Sequence, residues 1–151
     1  MKKIASFQVD HTTLYPGIYL SRKDRDVITY DLRFIKPNTP PFLSNKALHT
    51  IEHLMATSLR NSSFSDNIIY FGPMGCRTGL YLLTSGLSHA QAVSLIKEHV
   101  KSMSVYEGNI PGQSPEECGN YLELDLDEAK KALSDYYEVI KDLTEEDIYY
   151  S

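Results

Sequence analysis

The alternation of paired strand-like segments with amphipathic helical segments most constrains how this chain can fold. Residues 17–21 and 27–35 are typical of two strands joined by a charged turn, and residues 67–71 and 80–84 are typical of a second pair joined by a glycine-rich turn. Short connections favour antiparallel pairing of neighbouring strands. The order hairpin, helix, hairpin, helix, helix therefore predicts an α+β fold in which an antiparallel β-sheet packs against α-helices.

Three helices are predicted from their capping residues and from the spacing of their apolar side chains. They cover about residues 44–60, residues 88–103 and the segment that begins at 125. The capping residues are Ser44, Ser88 with Gln91, and Asp125 with Glu128. The residues expected to face the core are Leu48, Ile51, Met55 and Leu59 in the first helix, Val93, Ile96 and Val100 in the second, and Leu126, Ala129, Leu133, Tyr137 and Ile140 in the third.

Length and composition limit the classes of protein that fit. The 151 residues, 42% of them hydrophobic and 23% charged, predict a single domain over 1–151 with a real core. Residues 116–151 carry 12 acidic and 3 basic residues, which disfavours a nucleic-acid footprint. No stretch approaches the roughly 20 apolar residues of a membrane span, and no apolar region follows the basic start, so we expect a cytoplasmic protein without a membrane partner.

The sequence His49-Thr50-Ile51-Glu52-His53 is the sharpest chemical signal, because it lies inside the first predicted helix. Side chains four apart on a helix are neighbours, so both imidazoles can bind one metal ion. Glu52 is placed to take a proton beside them. The alternative is a polar stripe on a solvated helix face, but the apolar opposite face and the glutamate favour a metal site.

Two histidines leave a metal ion in need of a third protein ligand, and Cys118 is the leading candidate. It follows the helix-start signature at 114–117, where free backbone N–H groups would favour a thiolate. The alternative is a buried, inert cysteine.

Cys76 lies in the turn of the second hairpin, between Gly75 and Arg77. A neighbouring cation favours the thiolate, which suits a nucleophile or an acid/base group. The alternative is a small side chain that fills the turn, and spacing alone does not distinguish this role from a reactive thiol.

Five stretches of the sequence resemble the S-ribosylhomocysteine lyase family, the autoinducer-2 synthases of bacteria. The signature blocks are at 49–53, 72–79 and 117–121, the N-terminal block is at 6–12, and the second-strand block is at 30–34 with 37–38. The blocks occur in the family order, and the resemblance extends from about Ser6 to Ile140. Three blocks in order are far more specific than the histidine motif alone.

The resemblance implies roles for individual residues. His49, His53 and Cys118 would bind one divalent metal ion per subunit, natively Fe(II), with Zn(II) or Co(II) as possible substitutes. Glu52 and Cys76 would be the catalytic acid/base pair.

The resemblance also implies substrate contacts and an assembly. Ser6, His11 and Arg33 would lie around the ribosyl and homocysteine groups, and Arg60 near the homocysteine end. The family enzyme is a homodimer with its active sites at the interface.

The implied reaction cleaves S-ribosylhomocysteine to homocysteine and 4,5-dihydroxy-2,3-pentanedione, by two carbonyl shifts and a β-elimination. This serves autoinducer synthesis, hence quorum sensing, and the activated methyl cycle of methionine metabolism. Motifs for NAD, flavin or ATP are absent. One departure stands out: Tyr70-Phe71-Gly72 replaces the usual Asp-Ile-Ser, which removes any contact made by that aspartate side chain.

Two other functions fit part of the sequence. A small metallopeptidase with the H-x-x-E-H motif would use Glu52 to activate a zinc-bound water, but it would leave Cys76 without a role. A non-catalytic binding domain with a closed His/Cys metal site would need four protein ligands, and the sequence offers three convincing ones.

Overall fold

The computed structural model describes residues 1–151, and its elements follow the predicted order with one short helix added at the start. The helices and strands are α1 (Ala5–Gln8), β1 (Gly17–Asp24), β2 (Val27–Arg33), α2 (Asn45–Arg60), a 3₁₀ turn (Ser65–Asn67), β3 (Ile68–Pro73), β4 (Gly79–Ser85), α3 (His89–Ser104) and α4 (Leu126–Ile140). The strand bounds differ from prediction by up to three residues. The second strand ends early because the N–H groups of Phe34 and Ile35 both bond to the Thr78 carbonyl.

The four strands form one antiparallel sheet in the order β1-β2-β4-β3, which confirms the α+β prediction. The register places Asp31 of β2 between Tyr19 of β1 and Tyr81 of β4. Arg33 pairs with Gly79, where a Cβ atom would overlap the Leu32 carbonyl. Glycine at this position therefore lets β4 approach β2 closely beside Arg33.

The two faces of the sheet carry different side chains, because successive residues of a strand point to opposite faces. Tyr30, Leu32, Leu80 and Leu82 are fully buried in the hydrophobic core, which the helices cover. The other face carries polar residues of β2, and these are buried as well. None of the helices has the length and apolar character that a membrane crossing requires.

The predicted helix starts are confirmed by hydrogen bonds. Ser44 accepts from the Ala47 N–H at 3.0 Å, and Asp125 accepts from the Glu128 N–H at 3.0 Å. At the start of α3 the Ser88 side chain and the third helical residue form both bonds of a capping box. The predicted core residues of α2 and α3 are buried.

The predicted inward face of α4 is confirmed, because Ala129, Leu133 and Ile140 are buried and Leu126 and Tyr137 pack partly buried against the core, but the prediction missed Tyr136. Tyr136 is 1% exposed, whereas Tyr137 is only half-buried. The Tyr136 ring stacks on Phe34 with centroids 3.9 Å apart, and its hydroxyl donates to the Gly17 carbonyl at 2.8 Å. Helical spacing admits Tyr136 as well as Tyr137 on the inward side, and the acceptor for its hydroxyl allows Tyr136 to be fully buried.

Candidate functional site

The donor cluster consists of His49, His53 and Cys118. The Cys118 Sγ lies 3.4 Å from His49 Nε2 and 3.8 Å from His53 Nε2. The three donor atoms lie within 4.8 Å of one another. Ligands of a tetrahedral ion with bonds of about 2.0–2.3 Å stand about 3.3–3.8 Å apart, so the spacing fits an ion bound by three protein ligands and one open position. The cluster is compatible with one metal ion per chain.

The orientation of both imidazoles also fits a metal. His49 Nδ1 lies 2.9 Å from the Glu123 carbonyl, and His53 Nδ1 lies 2.7 Å from the Pro111 carbonyl. A carbonyl can only accept, so each Nδ1 carries the proton and donates. Each Nε2 therefore keeps a lone pair for a metal, and each ring is held in place by its second hydrogen bond.

Gly112 allows the loop that carries Pro111 to reach His53. Its φ is +72°, and a Cβ atom built there would lie 3.2 Å from His53 Nδ1. A side chain at this position would be strained and would crowd the ring. The sequence reasoning did not identify Gly112 or the two carbonyl acceptors, because neither carries a motif of its own.

Cys118 does not lie at the start of a helix, which corrects the sequence prediction. Residues 114–118 form a single turn, in which the N–H groups of Glu117 and Cys118 both bond to the Ser114 carbonyl, at 3.1 and 3.0 Å. The turn does not continue, so Cys118 closes it. The two imidazoles, rather than free N–H groups, are the partners of its thiol.

Glu52 is half-buried and lines a cleft of about 430 Å³ next to His49. Met74 and Gly75 of the β3–β4 turn also line this cleft, together with Arg77. The carboxylate therefore borders the donor cluster and an open cleft at once. This position suits a group that exchanges protons with a molecule bound there.

Cys76 lies in the β3–β4 turn, and its thiol is exposed. Its Sγ is 3.1 Å from Thr78 Oγ1 and 3.8 Å from Arg33 Nη1, and the same Arg33 nitrogen donates to Thr78 Oγ1 at 2.8 Å. The expected neighbouring cation, Arg77, instead lies over the Phe42 ring, 5.8 Å from its centroid. A cation thus accompanies Cys76, but it comes from β2.

Arg33 is held by Asp31 beneath the surface. Its Nη2 donates to Asp31 Oδ2 at 2.7 Å, and the two side chains are 3% and 2% exposed. Burial lowers the pKa of Arg33, but the charge and hydrogen bond of Asp31, together with smaller effects of Cys76 and Tyr150, raise the pKa above its ordinary value. We call Cys76, Thr78, Arg33 and Asp31 the Cys76 cluster. Sequence reasoning missed Thr78 and Asp31, although each lies two residues from a named residue.

A second cleft, of about 290 Å³, brings together four of the predicted site residues. Ser6, His11, Arg33 and Cys76 all line it. His11 Nδ1 lies 2.9 Å from the Val9 carbonyl, which again assigns the proton to Nδ1 and leaves Nε2 as an acceptor. The two clefts share Pro73, Met74 and Gly75 as lining residues, so they adjoin across the β3–β4 turn.

Arg60 lines neither cleft. It lies at the end of α2 and donates to the backbone carbonyls of Ile68 and Ile69, at 3.3 and 2.9 Å. In this chain it ties α2 to β3.

The departure at 70–72 has a structural explanation. A Cβ atom at position 72 would overlap the Tyr70 ring, which lies over Gly72 on the same face of β3. Gly72 therefore leaves room for the half-exposed Tyr70 ring.

Comparison with known proteins gives the family. A sequence model described as S-Ribosylhomocysteinase (LuxS) matches residues 4–147. The S-ribosylhomocysteine lyase of Phocaeicola vulgatus is 48% identical over 157 residues, covering 99% of this chain and 98% of the relative. Proteins of the same name from Finegoldia magna and Borreliella burgdorferi are each 47% identical and cover 99% of both chains. The chain therefore belongs to the S-ribosylhomocysteinase (LuxS) family.

Proposed function

We propose that this protein is a metal-dependent lyase that cleaves S-ribosylhomocysteine to homocysteine and 4,5-dihydroxy-2,3-pentanedione. Residues 1–151 would form one catalytic domain. The observation that carries the proposal is the cleft of Cys76 and Arg33, which adjoins the cleft of Glu52 and the donor cluster. A metallopeptidase of the H-x-x-E-H type would need only the cleft of Glu52 and the donor cluster, and it is not favoured. A closed structural metal site is not favoured either, because the cluster offers three donors.

We assign the metal site to His49, His53 and Cys118, with Fe(II) as the native ion and Zn(II) or Co(II) as substitutes. The mixed nitrogen and sulfur donor set suits all three ions. When bound, the ion supplies Lewis-acid stabilisation of negative charge on the oxygens of the sugar. The donors come from α2 and from the loop after α3. The Nδ1 hydrogen bonds of the two histidines fix the orientation of their rings.

Cys76 and Glu52 are the proposed acid/base pair. Each carbonyl shift removes a proton from a carbon beside the carbonyl and returns one to the neighbouring carbon. Removal of the C4 proton then expels the sulfur from C5, and the released thiolate takes a proton to become homocysteine. Cys76 is assigned the protons on carbon, because its thiol is exposed in the cleft that adjoins the metal side.

Glu52 is assigned the hydroxyl protons, since it borders the donor cluster. Thr78 can serve Cys76 in both of its protonation states. Its hydroxyl accepts from Arg33, and it can either accept from the thiol or donate to the thiolate.

The substrate contacts follow from the second cleft. Ser6 and His11 offer a hydroxyl and a ring nitrogen for the sugar, and Arg33 offers a buried positive charge. Arg60 is proposed to act near the homocysteine end on the strength of the family pattern alone, because its guanidinium is engaged by Ile68 and Ile69.

We also propose a homodimer with its active sites at the interface. Phe7 is 69% exposed, Tyr70 is 50% exposed and Ile69 is 43% exposed. Phe7 lines the second cleft, and exposed apolar side chains such as these are what a subunit interface would cover. We further propose that the enzyme acts in the cytoplasm, where its two products would serve quorum sensing and homocysteine recycling.

The test follows thiol release from S-ribosylhomocysteine by protein loaded anaerobically with Fe(II) or Co(II). We expect release by the loaded protein, none by metal-stripped protein, and none by Cys76→Ala. Cys118→Ala is the matched variant, since it also removes one thiol. Metal analysis should find the ion retained in Cys76→Ala and lost from Cys118→Ala.

Two results would contradict the proposal. One is a folded, metal-loaded protein that releases no thiol. The other is release that persists in Cys76→Ala. Hydrolysis of a peptide by that variant would instead support the metallopeptidase.

A further inference from the structure

The segment that follows α4 folds back onto the edge of the sheet. The side chain and backbone of Asp147 close a turn with Thr144, through bonds of 2.8 and 3.0 Å. Ile148 is fully buried, and its carbonyl accepts from the Leu20 N–H of β1 at 2.6 Å. The Tyr150 ring then stacks on Tyr19, with centroids 4.9 Å apart. Tyr150 is thus fixed against the outer face of the sheet.

The Tyr150 hydroxyl reaches the buried end of the Cys76 cluster. It donates to Asp31 Oδ2 at 2.7 Å, and the same oxygen accepts from Arg33 Nη2 at 2.7 Å. Burial first, and then the Asp31 carboxylate, raise the pKa of Tyr150 well above its ordinary value. The phenol therefore stays protonated and remains a donor.

Arg33 and Asp31 form only one of the two hydrogen bonds that such a pair can make. An arginine and a carboxylate frequently pair through two parallel hydrogen bonds. Here only Nη2 and Oδ2 are joined, and the buried atoms Arg33 Nε and Asp31 Oδ1 have no partner at all. These are the two atoms that would complete the second bond. The Tyr150 hydroxyl is bonded to Oδ2, the same carboxylate oxygen that accepts from Arg33 Nη2, and this bond restrains how the carboxylate can turn toward the guanidinium.

The position of Arg33 matters because its guanidinium is rigid and planar. Held by Nη2 alone, it presents Nη1 to Thr78 Oγ1 and to Cys76 Sγ. If the Arg33 guanidinium formed two hydrogen bonds with Asp31, the whole planar group would shift, and Nη1 would shift with it. The contact to Cys76, already 3.8 Å long, would be the first to be lost.

We propose that Tyr150 is a positioning residue for the reaction, which holds the Asp31 carboxylate so that Arg33 stays beside Cys76. The proposal rests on the proposed function, since it assumes that Cys76 is the proton carrier. Other groups face the same atoms. Tyr19, Tyr81 and Tyr136 surround Asp31, and the Asp31 charge raises the pKa of each after the larger effect of burial. Cys76 is faced by Arg33, and Ser6, His11 and Tyr81 line its cleft.

The experiment compares Tyr150→Phe with Tyr149→Phe in the full chain. Tyr149 is the neighbouring residue and is 58% exposed, so its substitution removes the same atom from the same segment. The first readout is the rate at which iodoacetamide alkylates Cys76 between pH 5 and pH 9. Peptide mapping by mass spectrometry separates Cys76 from Cys118. The second readout is kcat and KM for thiol release.

In Tyr150→Phe we expect iodoacetamide to alkylate Cys76 about three- to tenfold more slowly at pH 7. This factor corresponds to the free energy of about one hydrogen bond. The alkylation profile of this variant should move to higher pH, and kcat should fall more than KM changes. Tyr149→Phe should match the unsubstituted protein. Alkylation needs no substrate, so it tests the positioning even if the lyase assay fails.

The proposal is overturned if the alkylation profiles of the two phenylalanine variants coincide, whether or not Tyr150→Phe lowers the urea midpoint of unfolding. It is also overturned if the profile moves while kcat stays unchanged. The first result would leave Tyr150 a purely structural residue. The second would separate Arg33 from the reaction.

Discussion

The donor cluster and the Cys76 cluster are supported by different kinds of partner. The rings of His49 and His53 are oriented by the backbone carbonyls of Glu123 and Pro111. In the Cys76 cluster every link is a side chain, from Tyr150 through Asp31 and Arg33 to Thr78.

This difference affects how each cluster responds to substitution. A backbone carbonyl remains whatever side chain its residue carries, so the donor cluster depends on its ligands and on the path of the loop. A buried network of side chains loses a partner whenever any member is replaced, and its partners are then left unsatisfied. The Cys76 cluster should therefore be the more fragile of the two.

The largest expected effect is on the buried ion pair. Arg33→Met should lower the free energy of unfolding by about 3–5 kcal/mol, because the Asp31 carboxylate is left buried without a cation. Urea denaturation measures this. The double variant Asp31→Leu with Arg33→Met should regain most of the loss. A double variant as unstable as the single one would show that the unpaired charge is not the cause.

The next effect concerns the Thr78 hydroxyl, which joins Arg33 to Cys76. Thr78→Val should cost about 1–3 kcal/mol of unfolding free energy, since Arg33 Nη1 loses its nearest acceptor. Thr84→Val is the matched control, because the Thr84 hydroxyl is fully buried without a partner. Its replacement should leave stability unchanged or slightly raised. Equal losses in the two variants would remove the special role of Thr78.

A smaller effect is expected in the donor cluster. Gly112→Ala should cost about 1 kcal/mol, because φ is +72° there. It should also weaken Co(II) binding about tenfold by displacing His53, as measured by chelator competition. Gly119→Ala has open space at its Cβ position and should change neither quantity. Unchanged Co(II) affinity in Gly112→Ala would mean that the loop does not orient His53.

The smallest expected effect on the free energy of unfolding comes from a contact that belongs to neither cluster. His99 of α3 is hydrogen-bonded to Ser58 of α2, and burial lowers the pKa of His99. The unfolded chain therefore binds the proton more readily, so this contribution is complete above about pH 6.5 and declines as the pH falls below that value. Because the ring is half-exposed, we expect less than about 1 kcal/mol.

The measurement is the difference in unfolding free energy between the unsubstituted protein and His99→Gln, followed from pH 7.5 to pH 5. The two curves should separate progressively on the acid side, with the unsubstituted protein losing more. Parallel curves would mean that His99 titrates alike in the folded and unfolded chains.

Local sequence was enough to predict the three long helices and the order of helices and hairpins along the chain. Capping residues act within three positions, and the core faces of α2 and α3 repeat with the helical period, so both can be read without knowing the fold. The same short range explains why Tyr136 was missed beside Tyr137. Both positions suit the helical period, and the acceptor that allows full burial of Tyr136 lies 119 residues away.

For the functional residues, too, short-range features could be predicted and long-range contacts could not. The sequence by itself determined that His49, Glu52 and His53 share one region of α2, because the spacing on a helix follows from its geometry. Only the tertiary structure decided that Cys118 closes the donor cluster and that Arg33, rather than Arg77, accompanies Cys76. These contacts join residues 43 or more positions apart, and their geometry depends on how the sheet, helices and loops pack together.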